Sequence, residues 1–531
     1  MKQTTRNATL YAAMISLGGF VFGFDASVIS GTLGFVISEF DLSPAQVGYI
    51  FLWTGLAAMA ASFTVGLLAD YLGRKRTLQF LAILYIVSAA LSAFAVSYPM
   101  LLLARAIGGY AFGSLVIAPI YIAEISPARL RGRLGSINQL NIVVGLSAAY
   151  FINLILLTIS QSETGAFAAL NIKDNVWNWM FAVELIPAIL WLVLVSLVPK
   201  SPRWLATQND WEGSKSVLKK LVDADEVKSS LADIKQAIGE KRLSIAIQLK
   251  RMMAPGMPRI LVIAAIIAVV QQITGINAIF YFATTIFELT GIGQNAAFVQ
   301  AVVVGIVNVV VTLIVIGLID KMGRKPLMVM GLAGIVISMG ATTWGFKTSS
   351  YEITSDASAA LIEIVNPATN SPYLEEKDLA SLMGQNFTSD VQFKSAIEAV
   401  SSREFVRDHY ATILKNTMTA NTKLILFGII GFVASFAFSL GPIMWVFLGE
   451  IFPVQIRGLA ISLTTVLNSG VSMLITTFFP IQLAARGVTS VFLFFFVWSV
   501  IGLVLIAWLM PETKGLSLEQ IEAKFTKKSK V

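Results

Sequence analysis

Apolar residues in this chain come in long unbroken runs, not in the alternating or one-faced patterns of a soluble core. A helix needs about 20 such residues to cross a hydrocarbon layer. Twelve runs of that kind can be drawn, at 9–37, 46–69, 78–97, 101–123, 135–158, 177–198, 259–287, 297–319, 326–345, 422–448, 458–480 and 487–510. The pattern predicts an all-α polytopic membrane protein. An even number of crossings puts both termini on one side. The loops after the second and fourth runs, Asp70–Arg76 and Ser126–Arg133, are short and basic. Such loops stay in the cytoplasm, so both termini are expected there. Lys2 and Arg6 precede the first run with no small-residue cleavage site after it, which reads as a retained helix and not a signal peptide.

Two polar stretches interrupt the runs. Residues 199–258 are rich in Lys and Arg with helical patterning, as expected of a cytoplasmic linker with short helices. Residues 346–421 fall on the opposite side and include acidic Glu375, Glu376 and Asp378. Within them Val391–Lys415 has the period of one or two amphipathic helices, and a cap over the outer mouth is one reading of the insertion. The chain also repeats itself. Asp70-Tyr-Leu-Gly73-Arg74-Lys75 recurs as Asp320-Lys-Met-Gly323-Arg324-Lys325, an offset of 250. Glu124 and Arg131-Gly132 recur as Glu450 and Arg457-Gly458, an offset of 326, and the insertion accounts for the difference of 76. Two six-helix halves in parallel orientation follow: an N-terminal half at 1–198, the linker at 199–258, and a C-terminal half at 259–531 that holds insertion 346–421 and a short cytoplasmic tail at 511–531.

Composition narrows the chemistry. The chain of 531 residues is 56% hydrophobic and 13% charged. It has no cysteine and one histidine, His409, so disulfides, thiolate chemistry and a Cys/His metal site are not expected. The net charge of +8 falls largely in loops beside helices and does not call for nucleic acid. No nucleophile triad or nucleotide loop is recognisable, so an enzyme is disfavoured and no cofactor is expected.

Against this apolar background the polar residues inside spans are costly and informative. Gln271 to Tyr281 reads QQITGINAIFY within the seventh run. At 100° per residue, Gln271, Gln272, Asn277 and Tyr281 spread over more than half of a straight helix. They can face one small solute only if the helix breaks, and Gly275 is the place for it. Gln139, Asn141, Asn308 and Asn468 add amides on other spans, and Gly441-Pro442 should kink the tenth run before Trp445. An indole with several amides suits a polyhydroxylated solute. Asp25, Arg105 and Glu184 are the charges of the first, fourth and sixth runs. Asp25 with Arg105 makes either a proton-responsive pair or a permanent structural one. Glu184 reads more weakly, as a group that could pair with cytoplasmic-side basic residues. In the loops, Gly73 and Gly323 permit tight turns. Arg74, Lys75, Arg324 and Lys325 could pair with Glu124, Glu450 or helix C-termini and latch the halves in one state. Plain inside-positive anchoring is the alternative.

Taken together, GFDASVISG, the two Gly-Arg-Lys loops, AEISPARLRGRLGSINQ, PKSPRWL, QQITGINAIFY, GPIMWVFLGEIFPVQIRG and PETKG resemble the sugar porter family of the major facilitator superfamily. The general likeness is greatest to its bacterial D-xylose/proton symport members. The resemblance implies twelve transmembrane helices and alternating access. It implies sugar contacts at Gln139, Gln271, Gln272, Asn277, Asn308, Trp445 and Asn468, with Tyr281 helping to close an outer gate. The latch reading of the loops makes Gly73, Arg74, Glu124, Arg131, Gly323, Arg324, Glu450 and Arg457 the gating candidates. The resemblance implies proton coupling through Asp25 and Arg105, beside which Glu184 is a further candidate. Two departures stand out: Lys200 replaces the glutamate of the family's PESPR, and the 76-residue insertion is not typical. The expected function is proton-coupled symport of a monosaccharide such as glucose, galactose or xylose, by a monomer in the bacterial inner membrane. Its partners are the sugar, a proton and the bilayer, without nucleic acid, metal or cofactor. The alternatives are a passive sugar or inositol uniporter, and a transport-dead sensor, which would need more than the ~20 residues after Pro511. Asn386-Phe-Thr is a glycosylation pattern that matters only in a eukaryotic secretory route.

Overall fold

A computed structural model of the chain describes residues 3–127, 130–161, 171–239, 245–365, 379–453 and 455–514. Glu375, Glu376, Asp378 and the tail beyond 514 lie outside the described residues. The first half consists of α1 (Gln3–Phe40), α2 (Pro44–Leu72), α3 (Arg74–Ala93), the pair α4 (Tyr98–Ala111) and α5 (Ser114–Ile125), α6 (Arg131–Ser160), and the pair α7 (Val176–Ala182) and α8 (Leu185–Leu197). Local chemistry marks the starts. At α2, the Ser43 hydroxyl accepts from Gln46 N–H, the Gln46 side chain accepts from Ser43 N–H, and Pro44 holds the first helical position.

The linker folds as α9 (Pro202–Thr207), α10 (Trp211–Leu221), α11 (Ala224–Gly239) and α12 (Ile245–Met252). Thr4 donates to Asp223 at 2.8 Å and Asn7 to Lys220 O at 3.1 Å, so its first part is fastened to the first half. Arg251 bonds Gln455, which ties its last helix to the second half. That second half has α13 (Met257–Ile273), α14 (Ile276–Tyr281) and α15 (Ala283–Glu288) in line, then α16 (Gln294–Met322) and α17 (Arg324–Lys347). After the insertion come the pair α21 (Thr422–Phe438) and α22 (Leu440–Ile451), and finally α23 (Arg457–Leu509). The 53 residues of α23 would make a straight helix of about 80 Å, more than twice what one crossing needs. Its backbone leaves the helical region at Gly487, so it is two crossings joined end to end. Among the described residues, the other ten apolar helices and these two arms make twelve.

Helix α1 packs on α6 and α17 on α21 within their halves, while α2 against α23 and α6 against α16 join the halves. The end carrying the insertion is closed. There Tyr150 donates to Phe280 O at 2.6 Å, Ser30 accepts from Thr284 N at 3.1 Å, and Gln161 exchanges bonds with Asn295 at 2.8 and 3.0 Å.

The insertion holds α18 (Ser355–Val365), α19 (Asp390–Val400) and α20 (Arg403–Thr417), the last two over the stretch with amphipathic period. Short strands β1 (Ser350–Glu352), β2 (Asn386–Phe387) and β3 (Met418–Thr419) form an antiparallel sheet in the order β2-β1-β3. The all-α expectation therefore holds for the membrane part and needs this sheet added outside it. The insertion reaches both halves. Ser38 donates to Asp408 at 2.7 Å, and Arg407 pairs with both Asp408 and Asp41. Asp390 accepts from Val488 N at 3.1 Å, at the joint of the two arms of α23. Burial pushes the Asp408 carboxyl up, but Arg407 and Ser38 together hold it below the usual carboxylate range.

Candidate functional site

The seventh crossing is broken where the angular argument requires. Gly275 sits at φ 94°, ψ 15°, a left-handed conformation that costs any residue with a Cβ. The break turns the amides on either side into one cluster. Gln271 donates to Leu440 O at 2.9 Å. Gln272 donates to Asn468 at 3.1 Å, and Asn468 donates to Gln271 at 2.7 Å and Ala268 O at 2.9 Å. Asn277 donates to Gln272 at 2.9 Å and to Ser472 at 2.6 Å. Gln272 is only 8% exposed, so it does not face lipid. Every cluster amide has a partner, as low dielectric demands.

Beside this cluster a cavity of about 120 Å³ lies between the halves. Gln139 of α6 borders it from one half; Asn277, Tyr281, Asn308 and Gly441 border it from the other. Thr312, one turn beyond Asn308 on α16, lines it too and went unread in the sequence. Towards the insertion end the cavity is shut by rings. Phe51 of α2 stacks on Tyr281 at 5.6 Å and meets Phe282 at 4.8 Å, and Phe282 meets Phe479 at 4.6 Å. Trp445 does not border the cavity and is 41% exposed. It stands one turn from Gly441 on the same helix face, towards the linker end. Asn141 lies elsewhere, donating to Ser16 at 2.7 Å.

The charged residues gather behind the same wall. Phe22, Gly23 and Ala26 of α1 line the cavity, while Asp25 turns into the core of its own half, where it is fully buried. There it forms an ion pair with buried Arg105. Gly108 lets α4 lie close to α3, since a Cβ at that position would stand 2.6 Å from Ser88 Oγ and also 3.2 Å from Asp25 Oδ2. Glu184, at the interruption between α7 and α8, is 0% exposed and lies within electrostatic reach of both. Neither of its carboxylate oxygens has a hydrogen-bond partner among the described residues, nor does Asp25 Oδ2 or Arg105 Nε. The expected link from Glu184 to basic residues at the cytoplasmic side is thus corrected: the helix interruption carries it into the bundle instead. Asp25, Arg105 and Glu184 share one buried pocket, with one cation for two carboxyls, and the buried Tyr85 phenol lies within electrostatic reach of all three.

The family profile described as "Sugar (and other) transporter" matches residues 11–365 and 405–525. The chain belongs to the sugar porter family of the major facilitator superfamily. It is a multi-pass membrane protein and a secondary transporter. The arabinose-proton symporter of Bacillus subtilis is 30% identical over 514 residues, covering 97% of this chain and 94% of that one. The glucose transporter GlcP of Staphylococcus epidermidis is 30% identical over 523 residues, covering 97% of each. Among solved structures, the xylose transporter XylE of E. coli in a partially occluded inward open conformation superposes with TM-score 0.71 at 24% identity. The match covers 97% of this chain and all of that one. XylE bound to 6-bromo-6-deoxy-D-glucose superposes with TM-score 0.69 at 25% identity, over 98% and 100% of the two chains. Between its two matched stretches the profile skips 366–404, so the departure from the family there is narrower than the whole insertion.

In this porter the repeated loop motifs staple each half internally. Arg74 pairs with Glu124 at 3.1 Å and Asp70 at 3.0 Å, and caps Ala69 O. Arg324 pairs with Glu450 at 2.7 Å and caps Ile319 O at 3.2 Å. Each pair lies within one half, so the expected direct latch between halves is not made by these bonds. The reason is the repeat itself: motif and partner glutamate descend together in each copy. Arg457 bonds Phe452 O at 3.1 Å and not Glu450. The side chain of Arg131 lies outside the described residues. Gly73 and Gly323 take φ of 87° and 95° at the turns. Partners unread in the sequence are Ser201, which donates to Glu124 at 2.6 Å, and Thr513, which donates to Glu450 at 2.6 Å.

Proposed function

We propose that this porter carries a monosaccharide, a hexose or pentose, together with a proton by alternating access. The observation that carries the reading is the buried cluster of Asp25, Arg105 and Glu184 behind the α1 face that lines the polar cavity. With both carboxyls ionised the cluster has one net negative charge in a buried site. It becomes neutral by taking one proton. Proton uptake then changes how α1 packs against α4 and α6, and α1 is a wall of the cavity. Gln139, Gln271, Gln272, Asn277, Asn308 and Asn468 supply hydrogen bonds to sugar hydroxyls, and Trp445 gives an apolar face once the halves move. Tyr281 with Phe51 is the gate at the insertion end. Arg74–Glu124 and Arg324–Glu450 keep each half rigid while it moves. The relatives named as arabinose-proton and galactose-proton symporters support coupling. The unit is a monomer without cofactor, built as halves 1–198 and 259–531 around linker 199–258. The basic loops at the linker end support cytoplasmic termini and a bacterial inner membrane.

The test is counterflow by reconstituted protein against a sugar panel, with and without an imposed pH gradient. Symport predicts sugar accumulation and lumen acidification; equilibration alone would make it a uniporter. Gln272→Ala removes the amide that links Asn277 to Asn468. It is expected to raise the counterflow KM about tenfold, with thermal stability little changed. Ser38→Cys with Asp408→Cys bridges the halves at the insertion end, in a chain with no native cysteine. Oxidation should stop counterflow and reductant restore it. Unimpaired transport by the crosslinked protein would count against movement at that end.

A further inference from the structure

The two halves differ at one pseudo-equivalent point. In the second half, Glu512 of Pro511-Glu512-Thr513 lies against the start of α17. Its carboxylate accepts from Arg324 N at 3.1 Å and Lys325 N at 3.0 Å. Thr513 N and Lys514 N add bonds at 2.9 and 2.7 Å. Burial pushes the Glu512 carboxyl up, yet these four backbone donors hold it below the usual carboxylate range. An anion is thus held at the first turn of that helix.

In the first half the corresponding residue of Pro199-Lys200-Ser201 is a lysine. The start of α3 has no side-chain cap. In place of a carboxylate there is an open cavity of about 230 Å³, lined by Arg74, Lys75, Arg76, Gln79, Lys200 and Trp204. Arg74 is neutralised by Glu124 and Asp70. Lys75 gives one bond to Ser196 O at 2.7 Å and stands within electrostatic reach of Lys200. The Lys200 ammonium lies 5.9 Å over the Trp204 ring. Neither Arg76 nor Lys200 has an acidic partner among the described residues. Several cations and the free N–H groups of a 20-residue helix converge where the other half keeps its own anion.

We propose that this cavity binds a phosphate group, which takes the place in the first half that the Glu512 carboxylate holds in the second. Phosphate chemistry fits better than a carboxylate, since three cationic side chains and backbone donors surround a space larger than one carboxyl. The group comes either from a soluble phosphate compound or from an anionic lipid headgroup, both of which reach a basic membrane-adjacent site. Occupancy draws α3 and the Pro199–Ser201 segment together and stiffens the first half at its linker end.

Full-length protein in uncharged detergent, titrated with inorganic phosphate by calorimetry at constant ionic strength, tests the soluble source. Protein in phosphatidylethanolamine vesicles with or without phosphatidylglycerol, followed by thermal stability, tests the lipid source. A saturable response is expected in at least one arm, and the responding arm names the source. Lys200→Glu supplies an internal carboxylate, as Glu512 does, and should weaken that response at least about tenfold. Arg76→Gln should weaken it in the same arm and serves as the second variant should the first not fold. No saturable response in either arm overturns the proposal. So does an unchanged response in a folded Lys200→Glu or Arg76→Gln protein.

Discussion

Asp25→Asn is expected to abolish uphill sugar accumulation while leaving sugar-for-sugar counterflow in place. In the wild type one guanidinium faces two buried carboxyls. Neutralising one of them permanently leaves Arg105 and Glu184 as a balanced pair that needs no proton to lose its net charge. The variant then cycles without a proton to carry. A proton falling through 100 mV releases about 2.3 kcal/mol, enough to sustain a sugar gradient of roughly fiftyfold. The expected change in accumulation is therefore from that order to equilibration. The measurement is uptake into proteoliposomes with an imposed pH gradient and membrane potential, beside counterflow without them. Glu184→Gln is the companion test, because it makes the same balance from the other side. Retained accumulation in both would assign the cluster to structure alone.

Gly275→Val should be the most damaging substitution in the sugar-facing half. The left-handed conformation costs a residue with a Cβ about 1–2 kcal/mol, and more for a β-branched one. A Cβ there would also meet the Phe495 ring at 2.7 Å, and that ring is stacked on Phe479 at 6.5 Å and packed edge-on against Phe492 at 6.3 Å. Overpacking of this kind costs about 1–3 kcal/mol. Relief requires either a straighter seventh helix, which rotates Asn277 and Tyr281 away from Gln271 and Gln272, or a displaced aromatic gate. Both outcomes raise the counterflow KM by more than tenfold if the terms above act together. Gly275→Ala should show a smaller loss in the same direction. An unchanged KM in the valine variant would remove the break from the binding geometry.

What could be read from the chain follows from cost. Asp25 with Arg105, and the amides from Gln271 to Asn277, were legible because polar groups in apolar runs must find partners. The break at Gly275 was legible because fixed helical angles left no other way to bring those amides together. Phe51 was not, since one more aromatic in an apolar run carries no signal until a partner such as Tyr281 is seen across the halves. The setting of Glu184 depended on an interruption between α7 and α8 that Pro187 causes, by denying Val183 O its helical donor four residues on, and whose effect on the Glu184 side chain the run of apolar neighbours does not show. The strands of the insertion are two or three residues long, too short for a period-two pattern. The Arg74 and Arg324 pairs were legible as partners but not as partners within one half, because a repeat does not say which copy a side chain reaches.

The Asp25–Arg105–Glu184 cluster lies wholly in one half, whereas all of the predicted sugar-contacting amides except Gln139 come from the other. On the proposed roles, fuel and cargo are read by largely separate parts of the molecule that meet at a shared wall. A lineage, or an engineer, can exchange the passenger by editing the second half and inherit the engine unchanged. Chimeras that join this first half to the second half of a relative with a different sugar should stay proton-driven and take the relative's preference.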